Sequence, residues 1–405
     1  MPTVISAPEP DLTSDQLIER ARKLIPTLRE RAPEADQLRT VPAASIEDFK
    51  RAGFYRTLQP KRFGGYQFGH RTFCEVMKNI ARGCPSSGWV LCLTSAHTFH
   101  MSAFPEAGQI EMYGDDGDFR APLIFAPQGK AVPVDGGYQV SGRWDYNSGG
   151  EHANWLVVGA TVPGDDPKGP PSDVRMTFLR RDDYDIFDNW HVMGMRGTGS
   201  KQAVVDNVFV PAQRTVSQPA WFKGEAPGYG VHDDPFYRTP PMEMFCSELS
   251  SICVGVGEAA IDAFVDRVMT KRSAFPPFYE LRHDHNTQRI LGRARAHVDA
   301  ADALLDCILR THQGYTDDAA AGKKGFSAES RRRVMMMTQQ IEQNVRQAMD
   351  LLIDGSGTSA VRQGEPMERL YRDFATIRTH YIFGADRTAE NWGATALGLD
   401  EYSPF

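Results

Sequence analysis

Histidine supplies most of the chemistry this chain could perform. His380 and Tyr381 follow the pair Arg372-Asp373 near the C-terminus, and His97 and His100 are one helical turn apart in an apolar stretch. An imidazole, with an unperturbed pKa of about 6.5, can hold, give or take a proton near neutral pH. Ser148, two residues after Tyr146 and just before Gly149-Gly150, offers a short hydroxyl that both donates and accepts, although a plain turn would also use a serine there. The run Gly194-Met195-Arg196-Gly197-Thr198-Gly199-Ser200 places one guanidinium and two hydroxyls among glycines. Two further features suit an anion such as phosphate. Arg272 carries a planar, two-pronged donor, and in Gly355-Ser356-Gly357-Thr358 the glycines would let backbone amides approach closely. A helix-ending turn is the plainer use of that second segment.

Several other chemistries are not encoded. His283-x-His285 is the one close histidine pair and lacks the further ligands a metal site needs, so no metal is expected. Six cysteines are scattered without a CxxC pair, which favours reduced thiols. No Gly-x-Gly-x-x-Gly follows a strand, so no nicotinamide cofactor is expected in this chain. A net charge of −7 gives no reason to bind nucleic acid, and the basic triplet at residues 331–333 reads as a solvated helix face. The first ten residues lack a signal pattern and no unbroken run of about 18 apolar residues is present, so a cytoplasmic protein without membrane association is expected.

The elements that must position these groups can be read from periodicity. With 405 residues the chain can build two or three cored domains. Residues 1–120 read as helical: Ser14 is the expected cap of a first helix kinked at Pro26, Ser45 with Asp48 suggests a capping box for a short helix ended by Gly53, and an apolar helix covers residues 90–100. Residues 121–213 change to short alternating runs divided by Gly and Pro, the pattern of a β-domain in which Trp144 and Trp155 are core. Residues 214–405 form a helical bundle, with helices expected at 247–268, 285–313, 327–353 and 366–390. The aromatic, Pro- and Gly-rich segment 212–245 reads as a lid.

Helices, then a barrel-like β-domain, then a four-helix bundle resembles the α+β fold of the acyl-CoA dehydrogenase superfamily. Three local patterns carry the resemblance and its closer match to the flavin-dependent monooxygenases of this fold: Gly136-Gly137-Tyr138 with Ser141-Gly142-Arg143-Trp144 and Ser148-Gly149; the Gly194 to Ser200 run leading to Val208-Phe209-Val210-Pro211; and Arg372-Asp373 with His380. A dehydrogenase of this superfamily would place its catalytic glutamate about nine residues beyond the last pair. Here the neighbourhood holds His380 and Tyr381, while Glu365 and Glu390 are displaced. The acidic, Gly/Ser-rich acyl-CoA-binding run is replaced by Phe125-Ala-Pro-Gln-Gly-Lys-Ala131. The chain is therefore more similar to the flavin-dependent monooxygenases that share this fold, the oxygenase components of two-component systems such as p-hydroxyphenylacetate and secosteroid phenol hydroxylases.

That resemblance implies roles. Ser148 would touch the flavin N5 edge, with the ring or backbone of Tyr146 beside it. His380 would hydrogen-bond oxygen at the flavin C4a, and His97 would accept a phenol proton. Arg196 and Thr198 would lie against the flavin pocket, and Arg272, Gly355 and Gly357 would reach flavin phosphate, the last two from a neighbouring subunit. The implied reaction uses reduced flavin (FMNH2 or FADH2) and O2, through a C4a-hydroperoxide, to hydroxylate an aromatic, phenolic substrate. A separate NAD(P)H:flavin reductase would supply the flavin, and a homotetramer is expected. Oxidation of sulfur or nitrogen by the same adduct, an acyl-CoA dehydrogenase, and a non-catalytic ligand-binding relative are the alternatives.

Overall fold

The computed structural model describes residues 5–114, 116–166, 168–323 and 327–399. Six helices come first: α1 (Ser14–Leu38), α2 (Ala43–Ala52), α3 (His70–Gly83), α4 (Pro85–Ser95), α5 (His97–His100) and α6 (Glu106–Tyr113). The cap of α1 is Thr13 rather than Ser14, because Thr13 and Gln16 exchange side chain to backbone bonds in a full capping box. The helix runs on through Pro26, its buried Leu17, Ala21, Leu28, Ala32 and Ala35 packing toward α3. Ser45 caps nothing. It is buried inside α2, which starts after Pro42 and ends at Gly53 in the left-handed conformation (φ 83°).

Among the described residues seven strands follow: β1 (Leu123–Val134), β2 (Gly137–Asn147), β3 (Trp155–Val162), β4 (Asp173–Arg180), β5 (Asp185–Phe187), β6 (Lys201–Pro211) and β7 (Thr215–Ser217). They make one sheet in the order β5-β6-β2-β1-β3-β4-β7, antiparallel except between β1 and β3. Along β3 the alternation of strand side chains divides the core: Val157 joins Phe178, Met176 and the N-terminal helices on one face, while Leu156 and Val158 join Trp144 on the other. Trp144 and Trp155 are both core residues, as expected. Two interruptions of this sheet shape the functional site. The β1–β3 ladder breaks between Ile124 and Gly129, releasing residues 125–128, and the β2–β6 ladder shifts between Trp144 and Asn147, releasing Asp145 and Tyr146. Each bulge turns side chains away from the sheet.

The chain then returns to helix: α7 (Gln218–Phe222), α8 (Pro241–Thr270), α9 (His285–Ala320), α10 (Ala328–Ser356), α11 (Pro366–Ile377) and α12 (Ala385–Ala396). The segment expected to be a lid is packed in place. Trp221, Phe236 and Tyr237 are buried, and the Tyr237 hydroxyl donates to the Leu58 carbonyl at 3.0 Å. The fourth bundle helix, expected unbroken over 366–390, is two helices separated by residues 378–384. The basic triplet is not a solvated face either: Arg331 pairs with fully buried Glu243 at 2.6 Å, and Arg332 is buried and donates to the Asn391 carbonyl.

By length and composition α8 could cross a membrane, although its apolar stretch is interrupted by polar residues, yet 94% of its most apolar window is buried among its neighbours. Within it Glu248 is fully buried, and neither carboxyl oxygen has a hydrogen-bond partner among the described residues. Burial pushes its pKa up to about 8. Between the ordinary carboxyl range and pH 8 the folded chain therefore binds one proton more than the unfolded chain, so this group lowers stability as pH rises. Glu248→Met is expected to stabilise the protein at pH 8 by on the order of 3 kcal/mol and to have little effect near pH 4. Urea denaturation across that range checks this, and parallel pH profiles for both proteins would assign the slope to other groups.

Candidate functional site

The two sheet bulges, α4 and the break between α11 and α12 enclose a cavity of about 740 Å3. Its walls are mainly apolar and aromatic: Trp89 and Leu93 from α4, Phe125 and Pro127 from the β1 bulge, Phe245 from α8, and Tyr381 from the break. Tyr146 and Trp190 stand edge to face at 6.3 Å on one side. Tyr146 has a φ of 67° and its side chain is 65% exposed, so the bulge presents the ring to the cavity rather than to the core. Among the described lining residues there is no Asp or Glu.

Three hydroxyls on this cavity, those of Ser148, Ser200 and Thr198, are connected, and Gln128, Gln218, Thr376 and Thr379 also line it. Ser148, at the end of β2, accepts a hydrogen bond from Trp89 Nε1–H at 3.3 Å. Its Oγ is 2.7 Å from Ser200 Oγ, which is 2.7 Å from Thr198 Oγ1. Thr198 in turn donates to the Met195 carbonyl at 2.9 Å. Met195 lies in the left-handed region (φ 55°), a conformation disfavoured without glycine, and two contacts hold it there. Buried Asp373 accepts the Met195 N–H at 2.6 Å, and Gly194 lies so close to α11 that a Cβ would sit 1.9 Å from the Arg372 carbonyl oxygen. Burial raises the Asp373 carboxyl to about 7, the Met195 amide opposing that shift.

His380 enters from the opposite wall. It does not lie on a bundle helix. α11 ends at Ile377, and His380 caps the short turn Tyr381–Phe383, its Nδ1 accepting the Ile382 N–H at 3.4 Å. The proton of the neutral ring is then on Nε2. Trp89, Phe245 and Tyr381 surround the imidazole with ring centroids 5.7, 5.6 and 4.7 Å away. Desolvation among these rings lowers its pKa to about 4, so at neutral pH it is an uncharged donor.

The structure brings together His380, Ser148, Tyr146 and Thr198 of the residues expected from sequence. It separates the others. His97 is fully buried outside the cavity lining, its Nδ1–H donating to the Ala121 carbonyl at 2.6 Å, and desolvation lowers its pKa to about 4. The α4 helix ends at Ser95, and His97 opens the short buried helix α5 that follows, while Leu93 of α4 lines the opening. Arg196 faces α1, 3.8 Å from Asp36, and does not line the cavity. Arg272 is exposed beyond the end of α8, Gly355 packs against Ile290 within α10, and Gly357 ends that helix, all outside this chain's own cavity. Trp89, Phe245 and Asp373 were not singled out as site residues. Only their meeting in space marks them, although the Arg372-Asp373 pair itself was a visible motif.

The lining combines aromatic side chains with the Ser148 hydroxyl and the His380 imidazole N–H, a chemistry that suits a planar aromatic group with a polar rim. Comparison with known proteins agrees. Residues 13–113 match the family described as acyl-CoA dehydrogenase, N-terminal domain, and residues 248–384 that described as acyl-CoA dehydrogenase, C-terminal domain. The chain is 33% identical over 384 residues to the flavin-dependent monooxygenase, oxygenase subunit HsaA, of Rhodococcus jostii, covering 94% of this chain and 98% of that protein. It is 29% identical to the FADH(2)-dependent resorcinol hydroxylase, oxygenase component, of a Rhizobium species, covering 97% of each. The solved structure of XiaF from Streptomyces in complex with FADH2 and glycerol superposes with a TM-score of 0.85 at 26% identity, covering 96% of each chain.

The Asp373 contact has a measurable weight. Asp373→Ala leaves the buried Met195 amide without an acceptor and is expected to destabilise the fold by about 1–3 kcal/mol in urea denaturation. Asp373→Asn retains an acceptor oxygen and should lose less.

Proposed function

For a chain that belongs to the acyl-CoA dehydrogenase-fold flavin-dependent monooxygenases, we propose the reaction of an oxygenase component that hydroxylates an aromatic, phenolic substrate. Reduced flavin (FMNH2 or FADH2), delivered by a separate NAD(P)H:flavin reductase, supplies the electrons that activate O2 when bound. The observation that carries this reading is the pairing of a neutral imidazole donor with a hydroxyl on one cavity whose described lining holds no carboxylate. Removing a proton beside a thioester needs a base such as a carboxylate. This cavity offers none, and its uncharged His380 Nε2–H suits hydrogen bonding to oxygen instead.

In this reading Ser148 and Tyr146 hold one edge of the flavin, Thr198 supports Ser148 through Ser200, and Trp89 steadies the Ser148 hydroxyl. His380 holds its proton on Nε2, aimed at bound oxygen. The rings of Phe125, Phe245 and Tyr381 seat the aromatic substrate and exclude water, which limits loss of oxygen as H2O2. The packed segment from Gln218 to Phe245 serves as a fixed wall of this chamber. His97 and Arg196 take no part in it.

We further propose that a second copy of the chain completes the flavin site within a homotetramer. Arg272 begins a hairpin, bridged to Glu280, that exposes Phe275 (80%), Phe278 (50%) and Tyr279 (41%). Arg267 Nε–H donates to the Ser356 carbonyl at 2.9 Å, which holds the turn between Gly355 and Gly357 at the same end of α8. Exposed aromatic rings beside an arginine are the makeup of a subunit contact, and the guanidinium would meet the neighbour's flavin phosphate.

Mixing the protein and anaerobically reduced flavin with O2 and a panel of phenols is expected to give hydroxylated product coupled to oxygen uptake. Oxygen uptake without product from any aromatic compound would overturn the reading. His380→Ala is expected to lower product formed per O2 on the order of tenfold or more, releasing H2O2 while reduced flavin still binds. Phe275→Asp should reduce the assembly mass by light scattering, and Arg272→Ala should weaken flavin binding without changing that mass.

A further inference from the structure

The hydroxyls behind Ser148 are spaced so that their protons can be counted. Three oxygen pairs lie at 2.7, 2.7 and 2.9 Å: Ser148 with Ser200, Ser200 with Thr198, and Thr198 with the Met195 carbonyl. Contacts this short need a proton between the two oxygens. The carbonyl can only accept, so Thr198 spends its single proton on Met195. Ser200 must then donate to Thr198, and Ser148 to Ser200. Reversing the chain would leave Thr198 and the carbonyl facing each other at 2.9 Å with no proton, and would leave the Ser148 proton only the Tyr146 carbonyl at 3.5 Å or the cavity.

The consequence for Ser148 is a fixed polarity. Its proton points away from the cavity toward Ser200, and one lone pair already receives Trp89 Nε1–H. What remains for the cavity is a lone pair. The end of the chain cannot drift, because Met195 is pinned by Asp373 and its carbonyl also receives Trp190 Nε1–H at 3.1 Å.

We propose that Ser200 and Thr198 are positioning residues that make Ser148 a hydrogen-bond acceptor toward the cavity, and that this selects reduced over oxidised flavin. The inference rests on the flavin reading above and deepens it. Reduced flavin carries a hydrogen on N5 and can donate to Ser148. Oxidised flavin presents a lone pair at the same atom and meets another lone pair. The selection therefore resides in two hydroxyls behind the one that touches the cofactor.

The test is anaerobic titration of the full-length protein with oxidised and with reduced FMN and FAD, giving the ratio of the two dissociation constants for each variant. Thr198→Val removes the acceptor for Ser200, whose proton turns to Ser148 and frees the Ser148 proton for the oxidised N5. Ser200→Ala frees it directly. Both are expected to tighten oxidised flavin and to lower the preference for reduced flavin roughly tenfold, the worth of one well-placed hydrogen bond. For a two-electron couple, that shifts the bound-flavin potential down by about 30 mV. Thr198→Ser keeps the hydroxyl and should keep the wild-type ratio. Equal weakening of both redox forms by Thr198→Val and Ser200→Ala would mean that the hydroxyls only support the fold, and would overturn the proposal. Ser148→Ala separates the two levels of argument. If it weakens reduced flavin while the Thr198 and Ser200 variants leave the ratio unchanged, the polarity proposal fails and the flavin reading stands; if it changes neither redox form, the flavin is not at Ser148 and both fail.

Discussion

The docking of the Gly194 to Ser200 loop onto α11 is the constraint from which the site follows. This loop belongs to the approach to β6, yet its backbone is held by the helical bundle, through the Asp373 carboxyl on Met195 N–H and the contact of Gly194 with the Arg372 carbonyl. Sheet and bundle are therefore registered against each other here, as they are where Phe125 meets Phe245. Thr198 and Ser200 extend from that point toward Ser148, while α11 continues to the break that carries His380. The two polar walls of the cavity share a single anchor, and a left-handed methionine is tolerated there because the partners leave it no other conformation.

The energetic character of the cavity comes from what surrounds its few polar atoms. Trp89, Phe245 and Tyr381 desolvate His380 and keep it uncharged, so it serves as a donor rather than a cation. The same dryness makes an unpaired hydroxyl costly, which is why Ser148, Ser200 and Thr198 form a chain ending on a carbonyl rather than facing the opening separately. A carboxylate would be poorly solvated in this setting. Two carboxyls of the interior, Asp373 and Glu248, are pushed toward their protonated forms, and neither lines the cavity.

Much of the architecture was legible in sequence. The switch from helical to alternating periodicity near residue 121, the return to helix in the C-terminal part and the core roles of Trp144 and Trp155 follow from residue spacing alone. Local ends were read less well. Thr13 rather than Ser14 caps α1, because the reciprocal bond with Gln16 decides the cap and both residue types are suitable. The interruption of the bundle helix at His380 is not legible in sequence, since the residues between Arg378 and Gly384 carry no proline that would announce a break. The basic triplet looked solvated because nothing nearby in sequence reveals that Glu243, almost ninety residues earlier, waits in the core for Arg331.

What the sequence determined by itself was the inventory: a histidine where a glutamate would belong, a serine at the end of a strand before two glycines, and a Gly-rich run before the β6 strand. Which of these meet was decided only by the tertiary structure. His97 and His380 are the same residue type in similarly apolar stretches, yet one is tied to the Ala121 carbonyl behind the wall and the other stands in the opening. The difference is made by two sheet bulges and one helix break, each set by packing between segments far apart in the chain. Periodicity reports which face of an element is apolar, but the direction in which a hydroxyl proton points depends on acceptors contributed by other elements, and those distances exist only once the chain has folded.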